Sequence, residues 1–400
     1  MSSCESDAAA QLAPFAVVCA APHGRGFAAA AGPHIFVFGP GAAPAVTELR
    51  EDAASAECLV VSMAFDDSAC TLAAVSTDKQ LRVFRNDQGA WRLALALATP
   101  RSPSAVSLDR AGSVAVFSDK AGDVYRVSLS SDGRGAAESP PASKPAAAPA
   151  QADDGLAGKK QKTEKTKAKA DDRLVPVLGH CSVLTALKLS QDEKFVLTAD
   201  HDHKVRVSHF PNGYNIHTFL LGHTKFVTGV LTEGDMCVSG AADGTLRLWS
   251  RVTGEELHSH KVADDGKEGA SIIVPQCLLP AHSCVVATIE KESSILIFHF
   301  NSRYLLKIDE VPTHATPLSV CATETTTARR FNVWASFATP PFLACYRVDL
   351  QSNGLHATCA EEDLPAELQP IVGRMKAFSD ADLRRVRDSR PYAHLVKDGK

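Results

Sequence analysis

The chain has 400 residues, of which 45% are hydrophobic and 22% are charged, a composition that is typical of a protein with a large folded core. Its 42 Lys and Arg residues face 46 Asp and Glu residues, so the formal net charge of −4 gives the protein as a whole no attraction for nucleic acid. These values exclude a fully disordered chain and a protein that coats nucleic acid through its overall charge.

The first apolar stretches indicate neither a membrane span nor a secretory signal. The uncharged stretch 26–47 is rich in Ala and Gly and is interrupted by Pro33, Pro40 and Pro44, which is unlike a transmembrane helix. A secretory signal requires a positively charged region before its apolar segment, and no Lys or Arg precedes the apolar segment 15–21. Because the eleven Cys residues never approach a Cys-x-x-Cys spacing, we expect reduced thiols in an intracellular protein. The apolar stretches described above also lead us to expect no membrane partner.

Short strands with alternating apolar residues follow turn-forming positions in the first third of the chain. These strands begin shortly after Gly32, Asp78 and Ala121. The composition then changes, because residues 131–172 hold eleven alanines and only one large apolar side chain, which predicts a disordered insertion. Its lysine-rich part, 159–169, indicates either a solvated linker or a nuclear import signal, and on the second interpretation we expect the protein in the nucleus.

Two clear repeats follow the insertion. Their Gly-His pairs, Gly179-His180 and Gly222-His223, lie 43 residues apart, and each is followed by a strand, an Asp-containing turn and another strand. This period is typical of the WD40 repeat, in which four strands form one propeller blade.

The repeat context gives the histidines a structural role rather than a catalytic one. An Asp in the turn can accept hydrogen bonds from the Gly-His segment, while a Ser or Thr on the neighbouring strand completes the network. In one repeat Ser208 stands where Trp is usual. The predicted blade network consists of His180, Thr198, Asp202, His223, Ser239, Asp243 and Trp249.

Weaker copies of the repeat at Glu292 and Thr339 bring the number of turn positions to seven. Successive turn positions lie 41 to 49 residues apart, except for a gap of 81 that falls to 39 without the insertion. The sequence therefore predicts an all-β, seven-bladed WD40 β-propeller with a disordered inter-blade insertion. The predicted parts are blades at 1–130, the insertion at 131–172, further blades at 173–372 and a C-terminal tail at 373–400.

Catalytic motifs are missing from the sequence. It contains no phosphate loop, no Gly-x-Gly-x-x-Gly fingerprint and no Gly-x-Ser-x-Gly elbow, so we expect no enzyme, no catalytic residue and no cofactor bound by this chain. The run 200–203, Asp-His-Asp-His, with His209 nearby, is the one candidate set of metal ligands. Because only alternate strand residues share a face and Asp202 is assigned to the blade network, we predict no metal site.

A basic edge is the most informative surface that the pattern predicts. If Val205 and Val207 pack between blades, alternation places Lys204, Arg206 and Ser208 on the opposite side. A further lysine, at position 120, occupies a comparable turn in the preceding blade. The pattern indicates either a basic edge that spans two adjacent blades or an ordinary solvated rim.

These residues also resemble a known family. The segment 197–208, Leu-Thr-Ala-Asp-His-Asp-His-Lys-Val-Arg-Val-Ser, and the Leu-Gly-His-Thr-Lys-Phe-Val of 221–227 closely resemble the WD-repeat, non-catalytic subunit of the eukaryotic tRNA (guanine(46)-N(7))-methyltransferase. The segment 119–125 resembles a second block of that family. The family usually has Asp-Arg-Asp-Glu where this chain has Asp-His-Asp-His at 200–203, so this chain lacks that Arg and that Glu.

The resemblance implies a role without chemistry. It implies a propeller that binds a Rossmann-like catalytic subunit, stabilises its active conformation and forms a heterodimer that methylates tRNA, with S-adenosylmethionine bound by the partner. It also implies that Arg206 forms a salt bridge to an acidic residue of the partner, with Lys204, Asp202 and Lys120 around it. The alternative is a general WD40 scaffold that recognises another protein or a chromatin partner at its central channel.

Overall fold

A computed structural model describes residues 13, 15–39, 46–49, 58–129, 173–262, 271–351, 357–377 and 379–390. Within these residues lie 28 strands, arranged in seven four-stranded antiparallel sheets. Each sheet uses four strands that are consecutive in the chain, and we number the sheets as blades 1 to 7. The prediction of an all-β, seven-bladed propeller is therefore confirmed.

The first three blades are built from the strands before and just after the predicted insertion. Blade 1 contains β1 (Val17–Ala20), β2 (Phe27–Ala31), β3 (His34–Phe38) and β4 (Val46–Leu49). Blade 2 contains β5 (Val60–Phe65), β6 (Thr71–Ser76), β7 (Gln80–Asp87) and β8 (Ala90–Ala98). Blade 3 contains β9 (Pro103–Leu108), β10 (Val114–Asp119), β11 (Asp123–Ser128) and β12 (Leu174–Gly179).

The remaining four blades follow the same order. Blade 4 contains β13 (Leu184–Leu189), β14 (Phe195–Asp200), β15 (Lys204–His209) and β16 (Ile216–Leu221). Blade 5 contains β17 (Val227–Glu233), β18 (Met236–Ala241), β19 (Thr245–Ser250) and β20 (Glu256–Lys261). Blade 6 contains β21 (Ile273–Leu279), β22 (Cys284–Ile289), β23 (Ser294–Phe300) and β24 (Leu305–Pro312). Blade 7 contains β25 (Ser319–Glu324), β26 (Arg330–Ser336), β27 (Leu343–Leu350) and β28 (Ala357–Glu362).

The turn positions that define the sequence repeat occupy the equivalent turn in each of the seven blades. Each of them falls between the second and third strands of its blade. They are Gly32, Asp78, Ala121, Asp202, Asp243, Glu292 and Thr339. The regular spacing in the sequence thus reports one structural unit repeated seven times.

The core lies between neighbouring blades, because the inner strands are apolar on both faces. All six residues of β22 are buried, for example. In blade 4, Val205 and Val207 pack with Val230 and Trp249 of blade 5 in one apolar cluster. Sheets that are covered on both faces in this way lose the clean alternation of an open sheet, which explains their continuous apolar runs.

The ring closes by packing of blade 1 against blade 7. The amide of Val18 in β1 donates a hydrogen bond to Ser319 Oγ in β25 at 3.2 Å. The Phe27 ring stacks on Trp334, with 4.5 Å between the ring centroids. A short helix, α1 (Gln369–Val372), adds Ile371 to the same cluster. Since each sheet is made of consecutive strands, these contacts between blades join the two ends of the propeller.

The insertion at 131–172 lies outside the described residues, but its position in the fold is defined. The strands on either side of it, β11 and β12, pair within blade 3, with Val124 opposite Leu178. The segment was expected between two blades, and this expectation is wrong. It connects the third and fourth strands of one blade, because β12 completes the sheet that β9 begins. The assignment of 131–172 as a separate part stays a prediction.

A second helix, α2 (Asp380–Ser389), lies within the predicted C-terminal tail. Val386 of this helix is buried, and Val386, Ser389 and Arg390 line one end of the central channel. The channel has a volume of about 250 Å³ and is lined by the first strands of all seven blades. No helix among the described residues is long and apolar enough to cross a membrane.

Candidate partner-binding edge

Blade 5 contains a complete hydrogen-bond network of the predicted type. His223 Nδ1 lies 3.1 Å from Asp243 Oδ2, and His223 Nε2 lies 2.7 Å from Ser239 Oγ. The indole N–H of Trp249 donates to the same Ser239 oxygen at 2.7 Å. A neutral His223 that donates from Nδ1 and accepts at Nε2 satisfies all of these groups. These residues therefore hold blade 5 together.

The charge of Asp243 is stabilised by this network. Burial alone would raise the pKa of Asp243, but hydrogen bonds from His223, Thr245 and the amide of Thr224 outweigh burial and lower the pKa well below its ordinary value. Asp243 is therefore an ionised, structural carboxylate.

Blade 4 has a related network with a different carboxylate. His180 Nε2 lies 2.9 Å from Thr198 Oγ1, as expected, but His180 Nδ1 lies 3.3 Å from Asp200 Oδ2. Asp202, which was predicted for this role, has a side chain that is 52% exposed and lies 3.6 Å from the His201 ring. The assignment of Asp202 to the blade network is therefore wrong, and Asp200 takes its place.

The strand geometry explains this correction. Asp200 is the last residue of β14, two residues after Thr198, so both side chains lie on the same face of the strand. Asp200 is buried and also accepts a hydrogen bond from the amide of Lys204 at 3.2 Å. The equivalent position in blade 5 is Ala241, which leaves the turn residue Asp243 to pair with histidine. Two-residue alternation from Thr198 was the sequence signal for Asp200.

Arg206 lies in the third strand of blade 4 and is partly buried. Its Nε donates to Ser208 Oγ at 2.8 Å, its Nη1 to the carbonyl oxygen of Gly179 at 3.3 Å and its Nη2 to that of Gly213 at 2.6 Å. Burial lowers the pKa of the Arg206 guanidinium. As alternation indicated, Arg206 lies on the face opposite the buried Val205 and Val207, but it also ties its blade to blade 3 through Gly179.

Arginines at the equivalent position of two other blades have carboxylate partners. Arg82 of blade 2 pairs with Asp78 at 2.6 Å, and Arg247 of blade 5 pairs with Glu256 at 2.5 Å. Among the residues that the structure describes, no carboxylate lies within 4.0 Å of the Arg206 guanidinium. The Arg206 guanidinium is therefore hydrogen-bonded, but no carboxylate of the described part of the chain neutralises its charge.

The strand register explains the missing partner. The strand residue that corresponds to Glu256 in blade 4 is Ile216, since Ser208 pairs with Ile216 as Trp249 pairs with Glu256. The turn residue that corresponds to Asp78 is the exposed Asp202. Other blades have two positions from which a carboxylate neutralises this arginine. In blade 4 one of these positions holds the apolar Ile216 and the other holds the exposed Asp202.

The other predicted lysines have different surroundings. Lys204 lies on the same face of β15 as Arg206 and is partly buried. Lys120 donates from Nζ to the carbonyl oxygen of Asp388 in α2 at 3.1 Å. Burial lowers the pKa of Lys120, and the Asp388 charge opposes that shift. The structure thus brings Lys204 and Arg206 together, while the Lys120 amine is held by the C-terminal helix.

The histidines of the 200–203 run do not converge with other ligands. Within the described residues, no group of three or more His, Cys, Asp or Glu side chains is arranged to hold a metal ion. His201 lies beside Asp202, and His203 occupies a turn position with φ of 67°. These side chains are part of the exposed turn between β14 and β15.

Comparison with known proteins places this geometry in a family context. The profile of the tRNA methyltransferase TRM82 WD40 domain matches residues 45–339. A Dictyostelium discoideum protein named tRNA (guanine-N(7)-)-methyltransferase non-catalytic subunit wdr4 is 29% identical over 251 residues, which cover 61% of this chain and 49% of that protein. The Danio rerio protein of the same name is 47% identical over 85 residues, covering 20% of this chain and 21% of its own length.

A human relative and a solved structure complete the comparison. The Homo sapiens protein named tRNA (guanine-N(7)-)-methyltransferase non-catalytic subunit WDR4 is 35% identical over 138 residues, covering 32% of this chain and 33% of that protein. The chain thus spans half or less of the length of these relatives. A chain from a structure titled Crystal Structure of Mitotic Checkpoint Complex aligns with a TM-score of 0.56 and 13% identity, over 81% of this chain and 86% of that one, and shares the fold alone.

Proposed function

The chain belongs to the family of the tRNA methyltransferase TRM82 WD40 domain, and we propose that it is the non-catalytic subunit of a tRNA (guanine-N7)-methyltransferase. In this role it binds a separate catalytic subunit to form a heterodimer. The catalytic subunit binds S-adenosylmethionine, and tRNA is reached through the complex. The names of the relatives from Dictyostelium, zebrafish and human support this proposal.

The observation that carries the proposal is the charge of Arg206 at the edge of blade 4, which no carboxylate of the described residues neutralises. Its fork of N–H donors is held in place by Ser208, Gly179 and Gly213, so little conformational freedom remains to be lost on binding. A carboxylate of the catalytic subunit would supply the neutralising partner that Asp78 and Glu256 supply in other blades. We assign Arg206 to partner recognition, with Lys204 beside it and Asp202 in the adjoining exposed turn.

Binding at a rigid edge is sufficient for the proposed effect on activity. A propeller that binds the active conformation of the catalytic subunit more tightly than its inactive conformation shifts the population toward the active one. The size of that shift is limited by the difference between the two affinities. The propeller needs no catalytic group of its own.

The general scaffold, in which a peptide binds at the central channel, is the second candidate. The position of α2 favours the blade edge over the channel. Arg390, just after α2, donates to the carbonyl oxygen of Leu318 at 3.0 Å and lies 3.3 Å from Glu290. Together with the buried Val386, these contacts hold the helix over one mouth of the channel. A peptide that entered from this side would have to displace it.

We also propose a nuclear location, on the basis of the lysine-rich segment 159–169. This segment lies outside the described residues, so the proposal rests on its sequence. A fluorescent fusion should move from the nucleus to the cytoplasm when 131–172 is deleted. A nuclear fusion that stays nuclear without the segment, in cells that lack the catalytic subunit, would refute this assignment.

Reconstitution with purified subunits tests the proposed function. The chain should bind the catalytic subunit in a 1:1 complex by size-exclusion chromatography with light scattering. The mixture should methylate tRNA faster than the catalytic subunit alone, and this chain alone should neither methylate tRNA nor bind S-adenosylmethionine in a calorimeter. A chain that forms no complex with the catalytic subunit would contradict the proposal.

A further inference from the structure

Exposed apolar side chains are concentrated at the outer edge of blades 3 to 5. Of eight large hydrophobic side chains that are exposed among the described residues, six belong to β12, to β16 or to the loops beside β16 and β19. These six are Val175, Tyr214, Ile216, Phe219, Leu221 and Val252. Single exposed apolar residues are normal on a protein surface, but a contiguous group indicates an interaction site.

The strand register places the apolar group next to the two cations. Across β15 and β16, Lys204 pairs with Leu221, Arg206 with Phe219 and Ser208 with Ile216. Directly opposed residues of an antiparallel pair project on the same side of the sheet, and so do alternate residues of one strand. One side of blade 4 therefore carries both cations and three apolar side chains. We call this surface the β16 face, defined by Lys204, Arg206, Ile216, Phe219 and Leu221.

The surroundings of the β16 face orient it toward the neighbouring blade. Arg206 donates to the carbonyl oxygen of Gly179, the last residue of β12. The loop before β16 also packs on β12, because a Cβ on Gly213 would lie 2.7 Å from Val177 Cγ1. The exposed Val175 lies on this same outer strand of blade 3. The β16 face and β12 are thus adjacent surfaces that a single segment can contact.

We infer that the β16 face is a docking surface for a segment of the catalytic subunit in which a carboxylate is flanked by aliphatic side chains. Charge complementarity fixes this chemistry, because neither Lys204 nor Arg206 has a carboxylate partner among the described residues. The side chains of Phe219 and Leu221 are 39% and 61% exposed. Aliphatic side chains of the partner can bury this apolar surface, whereas a purely acidic segment would leave it in contact with water. The inference rests on the proposed function and adds an apolar contact to the ion pair.

A double substitution with a matched control tests the inference. Phe219→Ser with Leu221→Ser, in the full chain, removes two of the three apolar side chains of the face and keeps both cations. The control, Leu93→Ser with Leu306→Ser, removes two exposed hydrophobic side chains, 40% and 42% exposed, from other blades. We expect the first variant to weaken binding of the purified catalytic subunit about tenfold or more, and the control to bind like the unmodified chain.

Salt separates the apolar contact from the ion pair. The loss caused by the double substitution should persist at high ionic strength, whereas the loss caused by substitution of Arg206 should shrink. A second variant, Leu221→Glu, guards against misfolding of the first, because Leu221 is the more exposed residue. A carboxylate beside Lys204 should repel the acidic segment and weaken binding while the melting temperature stays unchanged.

The outcomes distinguish this inference from the proposed function. If the unmodified chain does not bind the catalytic subunit, both fail. If it binds and the Arg206 variant weakens the complex, but both variants of the β16 face bind normally, only the present inference is overturned. If the chain alone sediments as a dimer that the double substitution converts to a monomer without an effect on the catalytic subunit, a second copy occupies the face and the inference is also overturned.

Discussion

The guanidinium of Arg206 donates a hydrogen bond of 2.6 Å to the carbonyl oxygen of Gly213, and this contact ties β15 to the loop that leads into β16. The side chain that we assign to partner recognition is therefore also part of blade 4. Its substitution is expected to affect both folding and binding, and experiments on Arg206 must measure the two separately.

Arg206→Leu should lower the free energy of unfolding by about 1–3 kcal/mol, because the acceptors on Ser208 and Gly213 lose a donor in a partly buried place. Arg126→Leu in blade 3 is the control, since Arg126 donates no hydrogen bond to any residue that the structure describes. Its effect should stay within about 0.5 kcal/mol. Chemical denaturation of both variants makes the comparison, and equal effects would show that the Arg206 contacts contribute nothing to stability.

Asp200→Ala should destabilise the protein more than Asp202→Ala. Asp200 is buried and accepts hydrogen bonds from His180 and from the amide of Lys204, so its loss removes the acceptor of two partly buried donors, at a cost of about 1–3 kcal/mol. Asp202 is exposed, and its loss should cost less than about 0.5 kcal/mol. Thermal melting of the two variants decides the assignment. A larger effect at Asp202 would show that Asp202, and not Asp200, belongs to the blade network.

The stability of the protein should depend on Asp243 in acid. Its folded-state pKa is lowered, so its contribution is fully present above the unfolded value of about 3.9 and is lost as the pH falls through the folded value. The difference in unfolding free energy between the unmodified chain and Asp243→Asn should therefore shrink below about pH 4. Thr228→Val removes a buried hydroxyl of the same blade without a titrating group, and its cost should not change with pH. A pH-independent effect of Asp243→Asn would contradict the account.

The C-terminal helix should detach when its buried contact is changed. Val386→Asp places a charge where Val386 packs against the channel mouth, and burial of an unpaired charge is strongly unfavourable. Amide hydrogen exchange across 380–389 should become faster, while the strands of the blades keep their protection. Arg384→Asp, at an exposed position of the same helix, is the control and should leave exchange unchanged. Unaltered exchange in Val386→Asp would mean that the helix is not held there.

The sequence predicts the ring because the repeat is local. Each blade has an Asp or its substitute in the turn between its second and third strands. A spacing near 43 residues between these turns, with the pattern around His223 and Asp243, therefore defines the strands of each blade and how they pair. The similarity between the turns of the two repeats predicts Asp202, whereas alternation along β14 predicts Asp200, and the structure follows the alternation. The correct choice required only that Thr198 and Asp200 share a face.

Other features depend on contacts that no local pattern contains. Among the described side chains of α2, the buried Val386 and polar contacts to distant blades dock the helix. The sequence pattern predicts Lys120 in the basic edge, but it does not show that the C-terminal helix contacts this lysine. That blade 4 has Ile216 where blade 5 has the carboxylate of Glu256 becomes visible only when the register pairs Ser208 with Ile216. Composition and periodicity do not carry this information.

The affinity between this chain and the catalytic subunit, measured for reversed charges, tests the central claim most directly. Arg206→Glu should weaken the complex by about 2–5 kcal/mol, because it removes one member of an ion pair and repels the other. This loss of binding free energy should exceed the loss of folding stability that the change in melting temperature indicates. An acidic residue of the catalytic subunit reversed to Arg should recover part of that loss only in combination with Arg206→Glu. Normal affinity and normal tRNA methylation with Arg206→Glu, in a protein that melts as the unmodified chain does, would contradict the assignment of Arg206 to partner recognition.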